Sequence, residues 1–212
     1  MSNEIPAGWE IPALDPNMQA TKLELPVATW GTIGRSRRMP GTYCFYTDDK
    51  NFTALWKDPS KLLASGCKVA VEANFSTFDD DDPEAVLTTI YRKRVLSTFW
   101  QKSGIRILVD LDIAPNYLAD YALLGVPRGW KAYATRSHRL SQMDAVENEY
   151  DLAVEHAGTD DIFFVVFGGS RKIHQHCLER NWIHVPEHIE VVRGRAEPYG
   201  GVSVKDLLRS TR

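Results

Sequence analysis

The sequence predicts an α/β fold, a mainly parallel sheet flanked by helices, with an irregular N-terminal arm. Strand-like and helix-like segments alternate along the chain from Gly41 onward. The run Ile162–Phe167 is apolar on both faces, which is typical of a strand inside a parallel sheet. The chain of 212 residues is also long enough to bury one core. An open doubly wound sheet and an incomplete barrel both fit this pattern, and both place ligands at the carboxyl ends of the strands.

The arm, residues 1–40, is rich in proline, glycine and polar residues, and residues 41–212 are expected to form one α/β domain. Several apolar side chains of the arm need burial, so we expect it to wrap around the domain. These side chains are Trp9, Ile11, Leu14 and Trp30. The arm also carries a basic cluster, Arg35–Arg38.

Six strands are predicted in the domain from β-branched and aromatic runs. They cover residues 42–47, 68–75, 105–113, 130–135, 161–167 and 183–192. Helices are predicted between them, in short pieces over 52–63, then over 83–102 and 116–124, from 141 to 157, and after 170. Asp82 and Pro83 are typical of a helix start, with Asp82 as the capping residue, and Gly104 is typical of a helix end.

The composition excludes several classes of protein. With 43% hydrophobic and 25% charged residues, the chain is typical of a globular domain and not of a disordered one. No apolar run is long enough to span a membrane, and no signal peptide is recognised. Cys44, Cys67 and Cys177 form no paired motif, which predicts a reducing, cytoplasmic location. The formal charge of −3 means that nucleic acid would have to bind at a local basic patch.

Polar and charged side chains follow the predicted strands on the side where ligands are expected. They are Asp48, Asp49, Asn74, Ser76, Asp110, Asp112, Arg136 and His138. Carboxylates, amides and cations on one rim suit general acid–base or metal-assisted chemistry. Helix capping explains Asp and Asn at such junctions as well, and that alternative stays open. Arg94 lies on the apolar stripe of its helix, which predicts a buried partner such as a rim carboxylate.

Asp110 and Asp112 are the strongest catalytic candidates. They alternate with apolar residues, so both side chains should point to one face of their strand. Two like charges on one face repel each other unless a cation, an arginine or a shared proton offsets the repulsion. A Mg²⁺ or Mn²⁺ ion bound by Asp110 and Asp112 is one hypothesis, with Asp48 or Asp49 completing the catalytic set. A solvated edge strand is the alternative.

The segment Gly168-Gly169-Ser170-Arg171-Lys172 predicts an anion site at the start of the last large helix. Such a segment offers free backbone N–H groups, a hydroxyl and two cations, all of which can bind a phosphate. The spacing matches neither a Walker loop nor the GxGxxG pattern. The alternative is a tight turn in which Ser170 caps the helix.

A zinc site is a further hypothesis, because four of the six histidines fall late in the chain. It would need His174, Cys177 and one of His184 or His188. No standard zinc spacing is met, and Cys177 fits a plain apolar helix face.

Scattered residues between Tyr43 and Gly169 carry a resemblance to a known family. They are Asp48, Asp49, Phe52, Trp56, Pro59, Asn74, Phe75, Ser76, Tyr91, Arg94, Trp100, Gln101, Gly104, Gly125, Val126, Pro127, Gly129, Ala134, Thr135 and Gly168. In these positions the chain resembles the domain-of-unknown-function family 4417, which is carried mainly by phages, plasmids and other mobile elements. The family pattern has an aspartate where this chain has Asn74, so a catalytic carboxylate is absent there. The resemblance implies a mobile-element setting and an α/β fold, and no mechanism.

Three functions follow as hypotheses. The first is a phage or plasmid protein linked to nucleic acid in replication or DNA processing, favoured by the family setting and by the basic clusters at 92–94, 136–139, 171–172 and 193–195. The second is a metal-dependent enzyme acting on a nucleotide or another small molecule. The third is a non-catalytic interaction protein, such as a host-system inhibitor or a virion component, whose partner is a host or phage protein. No membrane partner is expected.

Overall fold

A computed structural model describes residues 10–31 and 40–201. In this part of the chain seven strands form one sheet, and each strand pairs in parallel with the next one in chain order. The strands are β1 (Val27–Thr29), β2 (Gly41–Cys44), β3 (Cys67–Val71), β4 (Arg106–Asp110), β5 (Ala132–Arg136), β6 (Phe163–Phe167) and β7 (Ile183–Val185). Trp9 and the cluster Arg35–Arg38 lie outside the described residues.

Helices connect the strands from β2 onward. They are α1 (Ala54–Lys57), α2 (Ser60–Leu63), α3 (Pro83–Lys102), α4 (Leu118–Tyr121), α5 (Met143–Ala157), α6 (Arg171–Glu179) and α7 (His188–Val192). In the described ranges no helix is both long and apolar enough to cross a membrane.

The strictly sequential strand order distinguishes between the two predicted architectures. A doubly wound sheet reverses its order at a switch point, whereas a sheet that adds each new strand on the same side curls towards a barrel. Here the ring centroids of Tyr46, just after β2, and Phe167, the last residue of β6, lie 5.2 Å apart. The sheet is therefore a nearly closed barrel flanked by helices, with a seam between β1 and β7. This confirms the predicted fold class in its incomplete-barrel form.

The N-terminal arm crosses the amino-terminal end of the barrel. The Asp15 amide donates to Gln101 Oε1 at 2.9 Å, and Gln101 Nε2 donates back to the Asp15 carbonyl at 3.0 Å. The Ala20 amide donates to the Ile107 carbonyl at 2.9 Å, near the start of β4. The Lys131 amide, just before β5, also bonds to the arm. The arm thus covers one end of the barrel and leaves the carboxyl end open.

Two elements differ from the sequence prediction. β1 (Val27–Thr29) lies inside the predicted arm, because a strand of three residues is too short to show a periodic pattern. The predicted strand over 183–192 is a short strand, Ile183–Val185, followed by a helix, His188–Val192. Pro186 separates them, since proline cannot donate to a strand ladder.

Helix α3 brings charged side chains into the core. It spans Pro83–Lys102 as predicted, and Gly104 follows it with a φ of +89°. Asp82 occupies the capping position, but its side chain accepts no capping hydrogen bond. Lys93 and Arg94, in the middle of the helix, are both fully buried. Their partners lie at the carboxyl ends of β3 and β4, as described next.

Candidate functional site

A cavity of about 600 Å³ opens at the carboxyl end of the barrel. We call it the cleft. Predicted rim residues that line it are Asp48, Ser76, Arg136, His138 and Gly168. The chain after β7 supplies a further part of its lining, including Pro186, Glu187, His188, Ile189, Pro198 and Tyr199. A volume of this size is typical of small-molecule sites.

A buried ionic network lies beside the cleft, centred on Asp110 at the end of β4. The Lys93 ammonium forms an ion pair with Oδ2 of Asp110, and both side chains are fully buried. Tyr46 donates its hydroxyl to Oδ1 of Asp110 at 2.9 Å. Burial, and then the charge of Asp110, raises the pKa of Tyr46 well above its usual value, so this phenol stays protonated. Lys93 thus supplies a cation that the paired carboxylates need.

Asn74 joins the two candidate carboxylates. Its Nδ2 lies 3.1 Å from Oδ2 of Asp110 and 3.1 Å from Oδ2 of Asp112. Burial and the charge of Asp110 raise the pKa of Asp112, while Arg136 acts in the opposite direction. The edge-strand alternative is wrong, because β4 is the middle strand and Asp110 is only 1% exposed.

The geometry offers little to a divalent metal. No three His, Cys, Asp or Glu side chains among residues 10–31 and 40–201 are placed to hold a metal ion. The Lys93 ammonium already neutralises Asp110. Mg²⁺ or Mn²⁺ at Asp110 and Asp112 therefore stays a prediction that lacks a third ligand in the described chain.

Asp48 and Asp49 lie at the rim and not in the buried network. Asp48 is exposed and pairs with Lys50 at 2.8 Å, which lowers the pKa of Asp48. Asp49 accepts a hydrogen bond from the Ser76 hydroxyl at 2.9 Å. Asp49 thus links the loop after β2 to the segment after β3, and Asp48 alone of the two lines the cleft.

Among the described residues, the four zinc candidates do not form one metal site. The ring centroids of His174 and His184 lie 5.4 Å apart, with the two ring planes tilted by 50°. Cys177 is a buried core residue whose thiol pKa is raised by burial to about 12. His188 lines the cleft.

Arg136 is held at the cleft by two neighbours. Its Nε lies 3.3 Å from Oδ2 of Asp112, and its guanidinium carbon lies 5.7 Å from the centroid of the Tyr46 ring. No described residue accepts a hydrogen bond from its two terminal nitrogens, and the side chain is 31% exposed. A guanidinium oriented in this way presents a free fork to an anion in the cleft.

The glycine turn after β6 lies beside Arg136. Gly168 and Gly169 have φ angles of +97° and +68°, a region that favours glycine. A Cβ on Gly168 would lie 2.8 Å from the Ser137 carbonyl oxygen, and one on Gly169 would lie 3.1 Å from the same atom. The turn therefore requires both glycines in order to approach the loop after β5.

The start of α6 retains the features of an anion site. Ser170 is the capping residue of α6, but its side chain makes no capping hydrogen bond, contrary to the alternative in which it satisfies the helix end. Arg171 and Lys172 are exposed. The first N–H groups of the helix are thus left to solvent or to a ligand.

Arg94, predicted at the rim, is a structural residue. It forms a buried ion pair with Glu72, and its Nε donates to the Leu124 carbonyl at 2.7 Å. Its Nη2 donates to the Ala122 carbonyl at 2.6 Å. Arg94 thus ties α3 to β3 and to the segment after α4, and it does not line the cleft.

Sequence reasoning missed three residues of this site. Tyr46 and Lys93 contact Asp110, and Glu187 pairs with His138. The burial of Lys93 could have been predicted, because Lys93 is next to Arg94 on a helix with a buried face. Tyr46 and Glu187 lie inside segments that the sequence predicts as strands, 42–47 and 183–192, so no sequence pattern marks them as site residues.

Comparisons with known proteins place the chain among phage relatives. The model of the family described as Domain of unknown function (DUF4417) matches residues 3–156. The Gene 1 protein of Mycobacterium phage D29 is 28% identical over 162 residues, which cover 74% of this chain and 56% of that relative. The Gene 1 protein of Mycobacterium phage L5 is 26% identical over 195 residues, covering 89% of this chain and 82% of that relative.

This chain thus spans little more than half the length of the D29 relative. No solved structure shows a significant match to it. The family match ends inside α5, so the glycine turn and the segment after β7 lie beyond it. Because that match nevertheless covers well over half of the residues, this chain belongs to the DUF4417 family, as the resemblance in its sequence predicted.

Proposed function

We propose that the cleft binds a phosphate-bearing ligand of nucleotide size and that Arg136 holds the phosphate. The observation that carries this proposal is the orientation of the guanidinium. Asp112 engages Nε and the Tyr46 ring lies against the guanidinium, while the two terminal nitrogens have no described acceptor. Arginine presents two parallel N–H groups to phosphate, so this geometry is prepared for a bidentate contact.

The adjoining turn supports the same ligand. Arg136 pairs in register with Phe167, so its backbone lies beside that of Gly168 at the start of the turn. Of the predicted anion segment only Gly168 lines the cleft, and Gly169, Ser170, Arg171 and Lys172 do not. The uncapped first turn of α6 begins three residues after Gly168, and it contributes the positive end of a helix dipole beside the cleft. Phosphate is the common biological anion that uses both a guanidinium fork and a helix start.

The rest of the cleft suits a nucleoside. Apolar and aromatic side chains share its lining with hydroxyl and imidazole groups. The apolar part includes Phe167, Val185, Ile189, Val191 and Tyr199. A flat base packs against such a surface while its ribose or deoxyribose meets the polar groups.

A nucleic-acid strand is the second candidate ligand, favoured by exposed cations around the same rim. Arg139 is exposed on the loop after β5, and Arg171 and Lys172 are exposed in the first turn of α6. None of the three forms an ion pair with a described residue. The other basic clusters contribute less, since Lys93 and Arg94 are buried and Arg193 and Arg195 both pair with Glu190. A strand whose terminal nucleotide enters the cleft would connect the protein to replication or DNA processing.

Calorimetric titration with deoxyadenosine monophosphate tests the first proposal. We expect saturable binding by the wild-type protein and at least about tenfold weaker binding by Arg136→Lys, which keeps the charge and loses the fork. Arg180→Lys is the matched control, because Arg180 contacts Glu147 on an exposed surface outside the cleft. Absence of saturable binding to the wild type, or equal affinity in Arg136→Lys, would overturn the proposal.

Titration with a single-stranded DNA of about ten nucleotides separates the second candidate. Arg171→Glu/Lys172→Glu should abolish strand binding if phosphates follow the rim. Lys68→Glu/Lys102→Glu makes the same charge change at exposed positions on the amino-terminal side of the sheet and should have little effect. If neither nucleotide nor strand binds, the interaction-protein hypothesis is favoured, with a host or phage protein as partner.

A further inference from the structure

His138 and Glu187 form a pair on the lining of the cleft. His138 follows β5, Glu187 precedes α7, and Nδ1 of His138 contacts Oε1 of Glu187. No described residue contacts Nε2 of the same imidazole. The His138 side chain is 46% exposed, so this nitrogen can reach a ligand or a water molecule.

The Glu187 carboxylate determines which nitrogen of the His138 ring can accept a proton. A carboxylate accepts hydrogen bonds and does not donate them, so the contact with Glu187 favours the tautomer that carries its hydrogen on Nδ1. In that tautomer the lone pair of the imidazole resides on Nε2. Carboxylate–histidine pairs of this kind orient general bases on many unrelated folds. His138 also lies only two residues beyond Arg136, and both line the cleft. The base therefore stands next to the proposed phosphate site.

We infer that His138 is the general base for hydrolysis of a phosphodiester held by Arg136, with Glu187 as its positioning residue. This inference rests on the proposed function. A water oxygen forms a bond to phosphorus while its proton passes to Nε2 of His138, and the bond from phosphorus to the leaving oxygen breaks. The leaving alkoxide or phenoxide departs with its electron pair and is protonated by solvent. The imidazolium then returns its proton to solvent.

The charges around the cleft favour a diester over a monoester. Asp48 and Glu187 line it, and Asp112 lies against Arg136. A phosphodiester carries one negative charge, whereas a monoester carries close to two at neutral pH. The nearby carboxylates repel the additional charge, so the singly charged group is the better substrate class. Hydrolysis of a nucleotide diester leaves a monoester, so deoxyadenosine monophosphate corresponds to the product, which Arg136 still binds and which the same repulsion helps to release.

Release of 4-nitrophenolate from bis(4-nitrophenyl) phosphate tests the inference. We expect turnover by the wild-type protein and a loss of at least about a hundredfold in His138→Gln. His138→Gly should regain activity when free imidazole is added, which a purely structural role would not allow. Glu187→Gln should lower kcat with little change in KM, and Glu187→Asp should restore part of the rate.

His176→Gln is the matched control. His176 also pairs with a glutamate, Glu147, with Nε2 and Oε1 3.0 Å apart, but it lies outside the cleft. It should retain the wild-type rate. No turnover by the wild type, or equal turnover in His138→Gln, would overturn the inference. Titration of each variant with deoxyadenosine monophosphate distinguishes the two proposals, because intact binding without turnover leaves the phosphate site standing.

Discussion

At the residue scale, the central feature is the buried pair of Lys93 and Asp110. Removing an ammonium and a carboxylate from water costs several kcal/mol each. The attraction between the two charges offsets this desolvation penalty only when further hydrogen bonds satisfy the buried groups. Tyr46 and Asn74 supply such bonds to Asp110. Because apolar residues would fill the same volume without that cost, the intact pair adds little net stability, whereas removal of one partner leaves a buried charge uncompensated.

Lys93→Met should destabilise the fold by about 3–5 kcal/mol, because it leaves the Asp110 carboxylate buried without its cation. Urea unfolding measures the loss. Lys93→Met/Asp110→Asn should recover part of it, since the uncompensated charge is then removed. Lys131→Met is the control, because Lys131 pairs with the largely exposed Asp161, and it should cost under about 1 kcal/mol. An equal cost for Lys93→Met and Lys131→Met would contradict a desolvated pair.

At the element scale, helix α5 places a carboxylic acid against the sheet. The predicted apolar face of this helix includes Val146 and Ala153, and both are buried. Glu149 lies on the same face and is only 6% exposed, close to Thr135 of β5. Burial raises the pKa of Glu149 well above its usual value, and the charges of Asp112 and Asp110 act in the same direction, whereas Thr135 and Lys93 lower it. The fold therefore favours the neutral form of Glu149.

This neutral acid should make stability depend on pH. Below the usual glutamate pKa both the folded and the unfolded chain carry the proton, so there is no penalty. Above it the unfolded chain ionises while the fold still holds the proton, so stability falls as the pH rises towards the folded pKa. Glu149→Gln should thus raise the free energy of unfolding more at pH 8 than at pH 5.

Urea unfolding at both pH values measures this difference. Glu155→Gln provides the control for net charge and helix propensity, because Glu155 is exposed on the same helix. A gain in Glu149→Gln that is the same at both pH values would show that Glu149 is ionised in the fold.

At the scale of the whole molecule, the two ends of the barrel differ in structure. The amino-terminal end is covered by the arm through Asp15 and Gln101. The carboxyl end carries the cleft. Substitutions at one end should therefore affect stability and those at the other should affect binding.

Gln101→Leu should lower the free energy of unfolding by about 1–3 kcal/mol, because the Asp15 amide and carbonyl lose their partners. Its affinity for deoxyadenosine monophosphate should equal that of the wild type. Gln175→Leu is the control, since Gln175 is exposed and bonds only to Glu179 among described side chains. A loss of affinity in Gln101→Leu would show that the two ends are coupled.

Much of the fold could be predicted because its signals are local. The alternation of strands and helices predicted a parallel sheet, and the apolar alternation around Asp110 and Asp112 predicted that they share a site. Closure could not be predicted, because an open sheet and a barrel have the same local pattern and differ in which strands become neighbours. The partners of the site were also missed for this reason: Lys93 reaches Asp110 from another element, and Glu187 reaches His138 across 49 positions.

Within residues 10–31 and 40–201, the seam between β1 and β7 leaves two strand edges without a neighbouring strand. Such edges are sites where other chains can add and form aggregates. Each edge strand is only three residues long. Pro26 immediately precedes β1 and Pro186 immediately follows β7, and neither has a backbone N–H to offer. These edges therefore offer too few consecutive backbone hydrogen-bonding groups for a strand of a second chain to pair with them. The barrel can stay open at its seam without becoming a starting point for fibril growth.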